Sequence, residues 1–361
     1  MSYNLCKKVR DLEPYEPIKG IFRVRLDANE SFFSLPQEVR NEIKDIVDRL
    51  EFNRYPDTVA EKAIRAFADY YGVDPENVTA TNGSDEVLYL LASAMLQRGS
   101  RVVTVSPDFS MYEFYSYLSE NQIITFQKDE KLEINVSDLI AFVNENKADM
   151  LIFSNPCNPT GRGISAADAR RLVRECPDTL VIIDEAYMDF WDQSILVEAA
   201  GYDNLIVLKT ASKAVGEAAV RLGLAVCNKT ITNALRAVKS PYNVNTMTQE
   251  ICACVYSHKE MLEENRKAII KNTRTLYEDL IKLKQNYRLP FDIYEPCANF
   301  VFVKTENAED IFKYLLSDGI AVRYFGRFSA LRITAGSEEQ NAELLKSLER
   351  YVIEKCLVGN R

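Results

Sequence analysis

Residues 180–187 read LVIIDEAY. Four apolar residues, three of them β-branched, end in an acid. A run this short and this apolar suits a strand covered on both faces, as in parallel sheets. Its terminal acid, Asp184, then stands at the carboxyl edge, where open α/β sheets gather their ligand-binding residues. Five further runs have the same character: RVVTVS (101–106), IITF (123–126), MLIFSNP (150–156), LIVLKT (205–210) and LGLAVC (222–227). Between and beside them, 83–97, 109–120, 135–147 and 165–175 carry helical patterns. Such alternation predicts an α/β fold with a mostly parallel central sheet.

The pattern changes after about residue 244. The stretch 246–284 reads as one long helix, followed by FDIYEPCANFVFVK, a helix near 307–318, IAVRYF, ALRITAG and a terminal helix near 337–356. These predict a smaller α+β domain. The expected division is an N-terminal segment over 1–28 packing with the small domain, a large domain over 29–245 and the small C-terminal domain over 246–361. No repeat or low-complexity tract interrupts it.

Composition narrows the function classes. The chain has 361 residues, 27% charged, with a formal net charge of -9. That balance argues against nucleic acid as a partner, since phosphate backbones call for a basic face. Small phosphorylated ligands stay open. The eight cysteines form no CxxC pair, and one histidine, His258, accompanies Cys252 and Cys254. Reduced, buried thiols are therefore expected, with no metal site. No apolar run approaches about 18 residues, so no membrane span is expected. The opening MSYNLCKKVRDLEPYEP has charges and prolines where a signal peptide has an apolar core. A cytoplasmic location follows as the expectation.

The residues after each strand carry the candidate chemistry. Asp184 needs a cation or donors if buried; a ring nitrogen, a helix cap or a salt bridge would each satisfy it. Tyr187 follows three positions later. SNPCNPTG (154–161) makes a sharp turn that brings Asn155 and Asn158 to the same edge. TNGSDE (81–86) opens a helix at Ser84 and Asp85, a place suited to phosphate or to simple capping. Phe109 could stack on a flat ring or pack inward. TASKAVGEAAVRLG (210–223) sets Thr210 and Ser212 beside Lys213, with Arg221 eight positions on. Lysine does Schiff-base chemistry once its amine loses its proton. Arg323 and Arg332, on or beside apolar strands, suggest an anion or an internal salt bridge. Together these residues meet the needs of pyridoxal 5'-phosphate: an amine for the aldehyde, an acid for the pyridine nitrogen, donors for the ring oxygen, an aromatic face and a phosphate cup.

The chain thereby resembles the class I/II aminotransferases of fold type I, and within them the histidinol-phosphate aminotransferases. The resemblance runs nearly end to end, through LDANES (26–31), NRYP (53–56), TNGSDE (81–86), NPCNPTG (155–161), DEAYMDF (184–190), TASKA (210–214), RLG (221–223) and LRITAG (331–336). It implies a pyridoxal-phosphate-dependent transferase fold and ping-pong transfer between histidinol phosphate and 2-oxoglutarate in L-histidine biosynthesis. Lys213 matches the lysine that takes the cofactor's aldehyde. Asp184 matches the acid at its ring nitrogen, and Asn158 and Tyr187 match the ligands of its ring oxygen. Ser84, Asp85, Thr210, Ser212 and Arg221 match the phosphate cup. Tyr55 matches a tyrosine that reaches the neighbouring subunit's phosphate, which implies a homodimer with shared sites. Arg332 matches the substrate-anion arginine, with Arg323, Tyr15 and Asn29 expected nearby.

Three departures stand out. Phe109 replaces the usual tyrosine. Glu217 puts a charge in a loop usually rich in glycine and leucine. Ser31–Phe32–Phe33 stands where asparagine and proline are common. Rival readings on the same fold are a threonine-phosphate decarboxylase, an aminotransferase for aromatic or other amino acids, and a non-catalytic sensor. The sensor would bring a DNA-binding domain, of which the chain has no basic patch. A nicotinamide enzyme would carry GxGxxG after its first strand, and none is present.

Overall fold

The computed structural model describes residues 3–10, 12–14 and 16–357, the side chains of residues 356 and 357 excepted. Tyr15, expected near the substrate, lies outside the described residues. Twelve strands occur among those described: β1 (Val24–Leu26), β2 (Val78–Asn82), β3 (Arg101–Ser106), β4 (Gln122–Gln127), β5 (Met150–Ser154), β6 (Leu180–Asp184), β7 (Leu205–Thr210), β8 (Leu222–Cys227), β9 (Asp292–Tyr294), β10 (Phe300–Lys304), β11 (Ile320–Phe325) and β12 (Ala330–Thr334).

Seven strands form one sheet in the order β2-β8-β7-β6-β5-β3-β4. Its β4, β3, β5, β6 and β7 run parallel, and β8 runs antiparallel to both its neighbours. The apolar runs are strands because both their faces are covered: every residue of β5, β7 and β8 is buried. Each such Val, Leu or Ile contributes about 1.5–3 kcal/mol relative to exposure. Helices Val136–Glu145 and Ala166–Glu175 start where Asn135 and Ser165 accept hydrogen bonds from first-turn amides, as N-caps do.

The second sheet has the order β1-β11-β12-β10-β9. Its β1 lies parallel to β11, and the rest is antiparallel. The chain's beginning, which reads as irregular, therefore supplies an edge strand to the smaller sheet. Strand β2 was likewise not legible beforehand, because VTATN mixes polar and apolar residues at a sheet edge.

The expected single helix over 246–284 is two: Thr246–Ser257 and Lys259–Tyr287. They part at His258, whose ψ of 59° is far from helical. The first helix places Cys252, Val255 and Tyr256 in the core of the seven-stranded sheet. The second begins on that core with Leu262 and ends on the other with Leu276, Leu280 and Leu283. It thus spans the two cores. A small apolar cluster also joins them, with Tyr187, Phe190 and Ala214 from the larger sheet's loops packed on Ala298 and Phe300.

Candidate active site

The carboxyl ends of the parallel strands meet on one edge, and register brings the expected residues together there. Ser154, the last residue of β5, lies opposite Asp184, the last of β6, and Asp184 opposite Leu208 of β7. Because β8 is antiparallel, its beginning returns to the same edge: Thr210 pairs with Gly223, and Thr81 with Gly223 on the other side. Arg221 and Gly83 are thus neighbours, with the Gly83 amide donating to the Arg221 carbonyl at 2.8 Å.

Asp184 is 4% exposed. It accepts from the Tyr112 hydroxyl on Oδ2 at 2.8 Å and from the Ala186 amide on Oδ1 at 3.0 Å. Burial pushes its carboxyl up to about 6, and these two bonds hold it back from rising further. A carboxyl so poised can ionise against a cation placed beside it. Tyr112 is the residue that sequence reading missed. It sits on the helix Met111–Leu118, three positions after Phe109, so helical spacing was the available signal. The ring of Phe109 stands edge-on to Tyr112 at 5.6 Å, partly buried rather than closed into the core.

Lys213 is half-buried, its Nζ donating to the Ala28 carbonyl at 3.0 Å and lying 5.9 Å from the centre of the Tyr187 ring. The Tyr187 hydroxyl accepts from Asn29 Nδ2 at 2.9 Å. Asn29 is held in turn. Its φ is 54°, its amide donates to Thr334 Oγ1 at 3.0 Å, its Oδ1 accepts from that hydroxyl, and its carbonyl accepts from Asn299. Asparagine tolerates this left-handed backbone, so the LDANES turn carries the chain from β1 into the site.

The two asparagines of the NPCNPTG turn divide the work. Asn155 is buried and exchanges hydrogen bonds with Ile164, closing the turn. Asn158 is half-buried; its amide donates to Ser154 Oγ, and its Oδ1 accepts from Arg332 Nη1 at 2.5 Å. Arg332, 7% exposed, also donates from Nη2 to the Asp27 carbonyl at 2.6 Å and lies over the rings of Phe300 and Phe325. Arg323 is its register partner on β11, and directly paired residues share a face of the sheet.

Behind the edge, Asp108 accepts from the Ser154 amide at 3.1 Å and from the Ser154 hydroxyl. Burial raises its carboxyl while the charge of Lys128 pulls it back. Glu185, fully buried, accepts from Ser194 Oγ and the Ile195 amide and is pushed by burial up to about 7. It anchors the loop that follows Asp184.

A second group forms a cup. No side chain caps the helix Ser84–Leu90, which leaves its first N–H groups available to an anion. Thr210 Oγ1 donates to Ser212 Oγ at 3.0 Å and accepts from the Ser212 amide. Arg221, at φ 62°, bonds the Ala218 carbonyl and stands 3.6 Å from Asp85 Oδ2. A Cβ at Gly83 would meet Arg221 Nη2 at 2.7 Å, and one at Gly223 would run into the Gly83 carbonyl and the Ser84 amide. Only glycines allow this approach. With its carboxylate turned to Arg221, Asp85 offers an anion its backbone N–H. Amine, buried acid, amide, phenol and cup match the functional groups of pyridoxal phosphate.

Two expected residues sit differently. Tyr55 is 80% exposed and stacks on Tyr242 at 4.4 Å. Glu217 donates its amide to the Ala211 carbonyl; burial raises its half-buried carboxyl, and its charge acts on the buried Cys252 of the helix Thr246–Ser257. The charge that the loop pattern did not explain is thus set against a helix of the core.

Comparison with known proteins agrees with this geometry. Residues 23–348 match the family model for aminotransferase class I and II. A histidinol-phosphate aminotransferase of Clostridium novyi is 40% identical over 346 residues, covering 95% of this chain and 96% of that protein. One from Caldanaerobacter subterraneus is 36% identical over 352 residues, covering 96% and 98%. Among solved structures, the histidinol-phosphate aminotransferase of Sinorhizobium meliloti in complex with pyridoxal-5'-phosphate superposes with a TM-score of 0.86 at 19% identity, covering 98% of this chain and 99% of that one. The chain belongs to the class I and II aminotransferases, and within them to the histidinol-phosphate aminotransferase family.

Proposed function

We propose that this protein is a pyridoxal-phosphate-dependent aminotransferase that exchanges the amino group of histidinol phosphate with 2-oxoglutarate in histidine biosynthesis. The observation that carries the reading is the gathering of Asp184, Tyr187, Asn158 and Lys213 at the carboxyl edge of the larger sheet, met by Arg332 from the smaller one, in a chain of this family.

Bound in this site, pyridoxal phosphate supplies an electron sink for the carbon that loses its proton. The protein does the rest. Asp184 would hold a proton at the ring nitrogen, and a cation there would draw its carboxyl back down against the effect of burial. Tyr112 and the Ala186 amide fix the orientation of that carboxylate. Tyr187 and Asn158 would offer hydrogen bonds to the ring oxygen, and Asn29 orients the Tyr187 phenol. Phe109 would offer an aromatic face to the ring. The N–H groups of Ser84 and Asp85, with Thr210, Ser212 and Arg221, would hold the phosphate. Lys213 would hold the aldehyde, and its free amine would take up and return the proton at the donor's Cα. Arg332 clamps an anionic group of the substrate as a planar fork, with Arg323 on the same face.

We further propose that the enzyme acts as a cytoplasmic homodimer, each subunit comprising an N-terminal segment over 1–28 that packs with the small domain, a large domain over 29–245 and a small domain over 246–361. The exposure of Tyr55, stacked on Tyr242, supports the dimer, since a ring left at the surface is free to meet a neighbouring subunit. Among the described residues no helix is long and apolar enough to cross a membrane.

The test is a side-by-side assay of purified holoenzyme with histidinol phosphate, aromatic amino acids and threonine phosphate, each with and without 2-oxoglutarate. Turnover of histidinol phosphate with ping-pong kinetics is expected. Release of CO2 from threonine phosphate without 2-oxoglutarate would overturn the reading. Borohydride reduction followed by peptide mapping is expected to leave the cofactor mass on the peptide holding Lys213. Finding it on another lysine would remove Lys213 from its role.

A further inference from the structure

Apart from the aminotransferase machinery, Glu42, Cys254 and His258 bring a carboxylate, a thiol and an imidazole within 4.8 Å of one another. Glu42 belongs to the helix Gln37–Asp48, and Cys254 to Thr246–Ser257. His258 sits at the break between that helix and Lys259–Tyr287, four residues after Cys254. Cys254 and His258 therefore share one helical face, aimed at Glu42 from the helix beside it.

The distances are those of a coordination polyhedron. Glu42 Oε2 lies 3.1 Å from His258 Nε2 and 3.5 Å from Cys254 Sγ. Around a tetrahedral zinc ion, with bonds of about 2.0–2.1 Å to N and O and about 2.3 Å to S, an O–N edge is about 3.3 Å and an O–S edge about 3.6 Å. The two hydrogen bonds that Glu42 Oε2 makes with His258 Nε2 and Cys254 Sγ are thus close to the length of two such edges, and an ion would take their place. The mixture of thiolate, imidazole and carboxylate suits zinc or cobalt(II) and does not suit magnesium or calcium, which take oxygen ligands. Lys62, the cation whose charge acts on the Cys254 thiol, pairs with Glu250. Glu42 and His258 keep 44% and 26% of their side-chain surface exposed, so an ion can enter from solvent.

We propose that Glu42, Cys254 and His258 form a zinc-binding site with water in the fourth position. This departs from the sequence-based expectation of no metal, because Glu42 lies over two hundred positions from its partners in the chain. On binding, the Cys254 thiol passes its proton to solvent and sulfur donates to the metal. The ion pins the helix break at His258 to the helix Gln37–Asp48. It is a structural ion: it acts at the start of the helix that runs from one core to the other.

The experiment uses untagged holoenzyme stripped of adventitious metal. Zinc titration by calorimetry is expected to give one ion per chain, and cobalt(II) to give the intense visible bands of a tetrahedral thiolate site. The chain's one histidine gives a single pair of imidazole C–H signals in the NMR spectrum, which is expected to shift on zinc addition. Cys254→Ser and His258→Asn are expected to weaken binding by about tenfold or more, as loss of one of three ligands should. Zinc should raise Tm in the parent and not in these variants. Weak, octahedral cobalt spectra, an unmoved His258 signal, or equal zinc uptake in parent and variants would each overturn the proposal. The first two readings are made on the unaltered protein and do not depend on how the variants fold.

Discussion

Arg332 Nη1 donates to Asn158 Oδ1 at 2.5 Å, joining a strand of the smaller sheet to the turn after a strand of the larger one. The side chain read as a substrate anchor and the one read as a cofactor ligand are in contact. Their effects should therefore not add. In a double-mutant cycle with Asn158→Ala and Arg332→Ala, kcat/KM should show a coupling of about 0.5–3 kcal/mol. Strict additivity would separate the two roles.

Tyr112→Phe keeps the ring and removes the donor to Asp184. The bond holds that carboxyl down, so its loss should push Asp184 further up and move the acid limb of cofactor binding to higher pH. A hydrogen bond to a charged group is worth about 1.5–3 kcal/mol, roughly 10- to 100-fold in cofactor affinity. Equilibrium dialysis against pyridoxal phosphate across pH 5–8, pH range chosen to bracket about 6, checks both.

Gly223→Ala would drive a methyl into the Gly83 carbonyl and the Ser84 amide. The turn read as the phosphate cup has to give way, at about 1–3 kcal/mol as for other overpacked sites. Cofactor affinity should fall more than global stability. A urea midpoint that drops while cofactor binding is unchanged would place the strain elsewhere.

Glu185 sets a pH dependence of stability in the apoprotein. Burial raises its carboxyl from 4.5 to about 7, so the fold favours the protonated form. Its contribution is full below about 4.5 and is lost as pH rises through about 7. Glu185→Gln removes the titration. The stability of the parent relative to this variant should therefore fall by on the order of 3 kcal/mol between pH 4.5 and pH 8. Urea unfolding at several pH values measures it, and a flat difference would show that Glu185 ionises freely in the fold.

Much of this protein could be read from its chain. The strands β3 and β5 to β8 were legible because short apolar runs report burial on both faces, a local property of the residues themselves, while β4 showed through its Ile-Ile-Thr-Phe run although it is an edge strand with no fully buried residue. Most of the candidate site residues were legible for a related reason: Asn158, Asp184, Tyr187 and Lys213 end or follow a strand, and strand ends face ligands in such sheets. The tertiary structure decided which of them touch. Tyr112 reaches Asp184 across 72 positions, Asn29 reaches Tyr187 across 158, and Arg332 reaches Asn158 across 174. The break at His258, which divides one expected helix into two, comes just before the helix that runs from one core to the other. Local periodicity encodes which face of an element is buried. It does not encode which distant side chain meets that face, because that depends on sheet order and register, and these are set by the packing of the whole chain.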